Sequence, residues 1–168
     1  MKTMNRISRI SLCLTFVLSV FASCVSLQPA AVDVKQGISN YSRVYIPQTQ
    51  PVNSTTAVVI SKTVLPSSQT VNPRDVIAGR LSKRKYIILD RLDERFQNET
   101  IIVNYGESNR RSLGLGEYTI EVTLQFVSAA TGELLGTTTA EGYGETEAES
   151  VKQAVTRALD ALFKHVQE

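Results

Sequence analysis

Residues 118–127, YTIEVTLQFV, alternate between apolar and polar side chains and set the fold class of this chain. Because successive side chains of a strand point to opposite faces of a sheet, this alternation predicts a strand with one buried and one solvated face. The sequence ATGE at 130–133 predicts a turn, in which Gly132 can adopt a positive φ. Residues 134–143 then return as a second strand, so the sequence predicts an antiparallel hairpin. The predicted buried set is Tyr118, Ile120, Val122, Leu124 and Phe126.

Two helices are predicted on either side of this hairpin in the sequence. Residues 72–75, NPRD, are typical of a helix start, because Asn caps the free N–H groups and Pro fits the first turn. We expect this helix to run to Arg84, with Val76, Ile77 and Leu81 as its apolar contacts. Thr146 and Glu149 have the spacing of a capping box. The apolar residues behind it recur at helical spacing to the end of the chain: Val151, Val155, Ala158, Leu162 and Val166.

Four shorter β-rich segments complete the predicted sheet: residues 43–47, 57–65, 86–90 and 100–105. The resulting order of elements is β-β-α-β-β-β-β-α. This order predicts an α+β fold, a two-layer sandwich in which a mainly antiparallel sheet carries two helices packed on one face.

The beginning of the chain is typical of a bacterial export signal. Residues 1–9 carry three basic residues and no acidic one, and residues 10–22, ISLCLTFVLSVFA, are almost entirely apolar. A basic head and an apolar run of roughly 7–15 residues indicate a signal peptide, whereas a membrane-spanning helix needs about 20 apolar residues. Residues 21–24, FASC, resemble the lipobox of bacterial lipoproteins, although Phe21 replaces the usual aliphatic residue. We therefore predict a signal peptide at 1–23 and lipidation of Cys24; the alternative is ordinary secretion with an unmodified Cys24.

The length and charge of the chain limit the number of domains and the classes of function that it can have. It has 168 residues, which suits one domain, since a second core needs on the order of 100 further residues. Removal of residues 1–23 takes away three basic residues and no acidic one, so 15 basic and 16 acidic residues remain. This balance and the scattered positions of the basic residues argue against a nucleic-acid-binding protein, which carries a concentrated positive face. Residues 24–42 lack a sustained period and are predicted to be a lipidated tether, and residues 43–168 a single α+β domain.

Three segments resemble the curli-secretion-channel lipoprotein family. They are the strand and acidic turn KYIILDRLDERFQNE at 85–99, the hairpin YTIEVTLQFVSAATGELLGTTTAEGYG at 118–144, and the closing helix SVKQAVTRALDALFKHV at 150–166. The same domain plan is shared by the TolB amino-terminal domain, by lipoprotein activators of penicillin-binding proteins and by small envelope lipoproteins. The resemblance implies an envelope domain but no channel, because the mature chain has no room for extra pairs of membrane-crossing hairpins. Leu134 and Leu135 also stand where such domains often carry Trp.

No catalytic, cofactor or metal site is predicted from the sequence. The chain has one His and two Cys, of which Cys13 would leave with the signal peptide, so neither a metal set nor a catalytic triad can be assembled. His165 is better explained as a cation at the negative end of a helix. The acidic residues of 93–99 are typical of a solvated turn. Gly142 and Gly144 are expected to serve a tight strand-to-helix turn, because the glutamates that follow them would repel a phosphate.

The segment 106–116, GESNRRSLGLG, is the predicted site of recognition. It is longer than the usual hairpin loop of about 2–5 residues, and long loops often carry binding residues. Arg110 and Arg111 suit a carboxylate or phosphate of a partner, and Leu113 and Leu115 suit an apolar anchor. The alternative is a solvated flexible loop without a partner.

These features together predict a non-enzymatic lipoprotein, held in the outer membrane of a double-membrane bacterium through Cys24 and facing the periplasm. Val25 is not the Asp that resembles an inner-membrane retention signal. The domain is expected to bind an envelope protein or to serve as a subunit of an assembly, with its oligomeric state open. Two alternatives are an envelope enzyme, which needs a deep cleft with converging polar groups, and a carrier of an apolar ligand, which needs an enclosed apolar cavity.

Overall fold

A computed structural model describes residues 25–35, 37–60, 63–114 and 117–167, so the signal peptide, Cys24 and Leu115 lie outside the described residues. The strands are β1 (Ala31–Val34), β2 (Arg43–Tyr45), β3 (Val52–Ile60), β4 (Thr63–Val71), β5 (Ile87–Leu89), β6 (Thr100–Gly114), β7 (Glu117–Ser128) and β8 (Leu134–Gly142). The helices are α1 (Pro73–Lys83) and α2 (Glu147–Gln167), and short 3-10 turns span Ile38–Asn40 and Glu94–Glu99. None of the helices within these described ranges is long and apolar enough to cross a membrane.

The predicted α+β fold class is confirmed. Six strands form one sheet in the order β1-β8-β7-β6-β2-β5, and β3 pairs with β4 in a separate two-stranded ribbon. β1, β8, β7 and β6 are antiparallel neighbours, whereas β2 runs parallel to both β5 and β6. α2 packs on β7 and β8, and α1 packs beside α2 and on β5.

The core lies between the helices and the inner face of the sheet. The predicted alternation of β7 is confirmed from Ile120 onward, because Ile120, Val122, Leu124 and Phe126 are all at most 1% exposed. Tyr118, also predicted to be buried, is half-buried, and Thr119 is buried on the outer face. Four of the five residues predicted for the buried face of α2 are at most 1% exposed: Val151, Val155, Ala158 and Leu162. Val166, which continues the same spacing, is instead exposed near the end of the helix.

Both predicted helix starts are present. The side chain of Asn72 accepts a hydrogen bond from the N–H of Arg74 at 3.0 Å, and α1 ends at Lys83, one residue before the predicted end. The hydroxyl of Thr146 accepts from the N–H of Glu149 at 3.1 Å. The carboxylate of Glu149 accepts from the N–H of Glu145 rather than from that of Thr146, so the capping box is closed one residue earlier than predicted.

The predicted strand at 57–65 is wrong, because the chain reverses within it. Ala57 pairs with Pro66 and Ile60 with Thr63, so this segment contributes to both β3 and β4. Its β-branched residues favour a strand on both sides of the reversal, and no Gly, Pro, Asn or Asp marks the turn. The sequence therefore predicts the extended conformation correctly and misses the hairpin.

The interpretation of residues 24–42 as a tether is also corrected. Residues 31–34 form β1, which pairs antiparallel with residues 136–139 of β8, and Ile38 is only 3% exposed. The free edge of β8 offers unpaired backbone groups, and β1 satisfies them. A strand of four residues is too short for its alternation to be distinguished from irregular sequence.

The predicted loop at 106–116 is wrong as an element. Residues 106–114 continue β6, and Gly114 pairs with Glu117 at the start of β7. The register shifts between Glu107 and Asn109, and again between Ser112 and Gly114. Each irregularity places an extra residue in the strand and interrupts the alternation of polarity, which is why this part of the strand resembles a loop in the sequence.

Candidate functional site

Arg110 and Arg111 lie on opposite faces of the sheet, because they are neighbours on β6. Arg110 is opposite Ile120, on the inner face that carries the helices. Arg111 is opposite Thr119, on the outer face. The two guanidinium groups therefore do not form one binding surface.

Arg111 holds a buried carboxylate of the same chain. Its Nε and Nη2 donate to the two oxygens of Glu141 at 2.8 and 2.7 Å, and Glu141 is only 4% exposed. The N–H of Gln28 and the hydroxyl of Thr119 donate to the same carboxylate at 2.9 and 3.4 Å. The hydrogen bond from Arg111, with that from Gln28, outweighs burial and lowers the pKa of Glu141 to about 2. Glu141 is therefore ionised at neutral pH.

The same group of residues fixes the beginning of the described chain. Nη2 of Arg111 donates to the carbonyl of Ser26 at 3.1 Å, and Nη2 of Arg157 donates to the carbonyl of Gln28 at 2.8 Å. Nη1 of Arg157 also donates to the carbonyl of Glu141. We call these five residues, Ser26, Gln28, Arg111, Glu141 and Arg157, the N-terminal clasp.

Arg110 is bound on the inner face. It pairs with Glu147 in the first turn of α2 and lies 3.6 Å from a carboxylate oxygen of Glu107. Its guanidinium carbon is 5.3 Å from the ring centre of Tyr118, a cation–π distance. Both predicted arginines thus pair with carboxylates of their own chain, and their binding of a partner stays a prediction. Of the predicted apolar anchors, Leu113 is half-buried and Leu115 lies outside the described residues.

A cleft of about 280 Å³ opens beside Arg110, at the amino-terminal end of α2. It is lined by Glu117, Tyr118, Tyr143, Gly144, Glu145, Thr146, Glu147 and Ser150. We call it the acidic cleft, because its lining includes three Glu and two Tyr and none of its described lining residues is basic. Residues from the start of β7, the connection after β8 and the first turn of α2 build it, which makes it a product of the tertiary fold.

Close backbone packing brings the walls of the acidic cleft together. A Cβ atom on Gly142 would lie 1.9 Å from the carbonyl oxygen of Ser150, and one on Gly144 would lie 2.6 Å from Cβ of Glu149. The predicted role of these glycines in a tight strand-to-helix connection is therefore confirmed. This approach places Tyr143 beside the start of α2, and its N–H donates to the side chain of Gln153 in the second turn at 2.6 Å.

The electrostatics of the acidic cleft favour a positive ligand. Burial, and then the negative charges of Glu117 and Glu145, raise the pKa of Tyr143 above its ordinary value. The phenol consequently stays neutral at physiological pH, and its hydroxyl donates to the carboxylate of Glu117. Carboxylates beside aromatic rings bind an ammonium or guanidinium group through charge and cation–π attraction. The sequence contained one indication of this preference for a positive ligand, namely the glutamates that would repel a phosphate from this helix end.

The other polar residues considered in the sequence are exposed or pair within their own chain. Asp93 accepts from the N–H of Arg95 at 3.0 Å and pairs with its guanidinium at 2.7 Å, and these contacts lower the pKa of Asp93 to about 2. Glu94 is exposed, and Glu99 accepts a hydrogen bond from Ser42 at 3.2 Å. His165 is exposed in the last turns of α2. Within the described ranges, no group of three His, Cys, Asp or Glu side chains is placed to hold a metal ion.

Comparison with solved structures gives matches at low sequence identity, among them two structures of a dodecamer. No family model matches the sequence, and no curated protein matches it. The chain is similar to the PelC dodecamer from Paraburkholderia phytofirmans, with 11% identity and a TM-score of 0.47. It is equally similar to a single-substitution variant of that dodecamer, with 10% identity and a TM-score of 0.47. Each match covers 79% of this chain and 95% of the other. A likeness of this size bears on neither function nor assembly.

Proposed function

We propose that this protein is a lipid-anchored, non-enzymatic binding module of the cell envelope. Cys24 carries the anchor in the outer membrane of a double-membrane bacterium, and the domain faces the periplasm. The signal peptide pattern of residues 1–23 and the lipobox-like sequence at 21–24 support this placement. The resemblance of residues 85–99, 118–144 and 150–166 to envelope lipoproteins of the curli-secretion-channel type supports the same assignment.

The acidic cleft is the observation that carries the binding role. Its partner presents an ammonium or guanidinium group, because the carboxylates of Glu117 and Glu145 line the cleft with the ring of Tyr143. Glu147 and the ring of Tyr118, which also line the cleft, already hold Arg110. The carboxylates offered to a partner are therefore those of Glu145 and of Glu117, which also accepts a hydrogen bond from the hydroxyl of Tyr143. A basic group of a partner would enter between these two carboxylates.

Two observations favour this proposal over the alternatives. The raised pKa of Tyr143 keeps the phenol protonated, so it is a poor general base at physiological pH. A carrier of an apolar ligand would need an enclosed apolar cavity, whereas the walls of this cleft carry carboxylates. A binding role therefore uses the chemistry of the cleft better than catalysis or apolar transport does.

The double variant Glu117→Gln/Glu145→Gln tests the proposed site. Spermine serves as the probe, and its binding is measured by isothermal titration calorimetry at low salt, where screening is weakest. We expect the double variant to lose at least about tenfold in affinity, since two of the three carboxylates are neutralised. The same substitution in photocrosslinking experiments on native envelopes should reduce capture of the physiological partner.

A matched control distinguishes binding in the acidic cleft from a general effect of the protein's net charge. Asp90→Asn/Glu94→Gln removes two negative charges from exposed positions outside the cleft. This control should bind spermine within about twofold of the parent chain, because distant exposed charges are screened. An equal loss of affinity in the control and in the cleft variant would contradict the proposal.

A further inference from the structure

The chain passes from the proposed lipidation position into the folded domain within two residues. The carbonyl of Ser26 accepts from Arg111 at 3.1 Å. The N–H of Gln28 donates to Glu141, and the carbonyl of Gln28 accepts from Arg157. A fully extended chain spans at most about 3.3–3.6 Å per residue, so the backbone of position 24 is within about 7 Å of Ser26. A lipid on Cys24 therefore has almost no free tether between it and the domain.

The N-terminal clasp lies at one defined end of the domain. Arg111 pairs with Thr119 close to the connection of β6 and β7, and Glu141 is the penultimate residue of β8. The acidic cleft is at the same end, which we call the anchored end. The anchored end consists of Ser26–Gln28, Arg110–Gly114, Glu117–Thr119, Glu141–Tyr143 and the first turn of α2. The turn between β7 and β8, which contains Gly132, is at the opposite end. The 12 residues of β7 separate the two ends by about 36 Å.

We propose that the anchored end of the domain rests on the surface of the lipid bilayer that holds the acyl chains of Cys24. This inference rests on the lipidation proposed above. The clasp fixes the orientation, because a domain bonded two residues from its lipid cannot turn its opposite end toward the membrane. Leu113 is half-buried at this end, and Tyr118 and Tyr143 have the amphipathic rings that suit a membrane interface. The turn at residues 129–133 then projects away from the bilayer, and the acidic cleft meets its basic partner close to the membrane surface.

Energy transfer to the bilayer tests this orientation. The only Cys of the mature chain is Cys24, so Ser112→Cys and Ala130→Cys each add a single free thiol in the acylated protein. Both positions are exposed, the first at the anchored end and the second at the opposite end. Each variant is labelled with a donor fluorophore and bound to phosphatidylcholine vesicles that contain an acceptor on a lipid headgroup. We expect transfer from position 112 to be at least about twofold more efficient than transfer from position 130, given the separation of about 36 Å. Equal transfer from vesicle-bound protein would overturn the orientation and leave the anchor intact.

A lengthened tether is the control. Twenty Gly and Ser residues inserted after Val25 keep the N-terminal clasp intact and add a flexible chain of about 25 Å root-mean-square length. We expect this variant to bind vesicles as before and to lose the difference between the two labels. Persistence of the full difference would overturn the short connection as its cause. Failure of the parent acylated chain to bind vesicles would instead overturn the lipid anchor, and the orientation with it.

Discussion

Two adjacent arginines differ in their expected contribution to stability, because one pairs with partly exposed carboxylates and the other with a buried carboxylate. Arg110 is half-exposed and pairs with carboxylates that are themselves partly exposed, an arrangement that contributes little to stability. Arg111 meets Glu141, whose side chain is 4% exposed and has no other cationic partner among the contacts of the described chain. A buried carboxylate requires such a partner, and the planar fork of Arg provides two parallel hydrogen bonds where Lys would provide one.

Arg111→Ala should destabilise the domain much more than Arg110→Ala. Removing Arg111 leaves a buried carboxylate without its main partner and costs about 1–3 kcal/mol, or about 3–10 °C in a domain of this size. Arg110→Ala should change the melting temperature by less than about 2 °C, because exposed ion pairs contribute little. Thermal unfolding followed by circular dichroism measures both. Equal melting temperatures for the two variants would show that the clasp does not stabilise the fold.

The same ion pair predicts how stability depends on pH. The pKa of Glu141 is lowered to about 2 in the folded state from an ordinary value of 4.5, so its contribution is present above that ordinary value. It is lost as the pH falls from about 5 toward 2, because the unfolded chain takes up the proton first. The chain with Arg111→Ala should therefore lose less stability across this window than the parent. Asp93 also has a pKa of about 2, but it is present in both chains and its effect cancels in the comparison.

At the scale of elements, the two-stranded ribbon of β3 and β4 hydrogen-bonds to the start of α2 and does not extend the six-stranded sheet. The hydroxyl of Ser54 on β3 accepts from the N–H of Ala148 at 2.9 Å, in the first turn of α2. The hydroxyl of Thr146 donates to Gln69 on β4 at 3.1 Å. The first N–H groups of a helix lack acceptors within the helix, and the ribbon supplies an acceptor for one of these N–H groups. The ribbon therefore helps to hold the helix end at which the acidic cleft is built.

The register of β7 can be tested with one substitution on each face. Phe126 is 1% exposed on the inner face, so Phe126→Ala should lower the free energy of unfolding by about 3–5 kcal/mol. Glu121 lies on the outer face, where its carboxylate accepts a hydrogen bond from Ser108 at 2.7 Å. Glu121→Ala should change the free energy of unfolding by at most about 0.5 kcal/mol. Urea denaturation measures both values, and similar losses would mean that the strand is out of register by one residue.

At the scale of the whole molecule, the central expectation is that acyl chains on Cys24 hold the protein on the membrane. One acyl chain holds a protein only marginally on a bilayer, whereas the two or more chains of a mature bacterial lipoprotein hold it essentially permanently. Cys24→Ser should therefore release the domain into the soluble fraction or leave the precursor uncleaved. Fractionation of cells, with the signal peptide cleavage followed by mass spectrometry, measures the outcome. Mature protein from this variant that stayed fully membrane-bound would contradict lipidation as the anchor.

The local pattern of the sequence was enough to predict the centre of the fold. The alternation of 118–127 predicted which face of β7 is buried, and the sequence 72–75 predicted the start of α1. Such features depend on residues within one or two turns of each other, and their period is visible along the chain. The same local reasoning failed where the period was interrupted, at the bulges of β6, or where it was too short to detect, at β1.

The site and the position of the amino-terminal segment follow from tertiary packing alone. The residues of the N-terminal clasp are far apart in the sequence, since Gln28 and Glu141 are separated by 113 positions. The acidic cleft likewise joins Glu117, Tyr143 and Glu147 from three separate elements. No period links such residues, because their proximity follows from the order of the strands and from the close approach of β8 to α2 at Gly142. Local sequence patterns thus predict a sheet covered by helices behind an export signal, whereas packing between distant segments determines which charges are buried, which are exposed in the cleft and how close the domain lies to its proposed anchor.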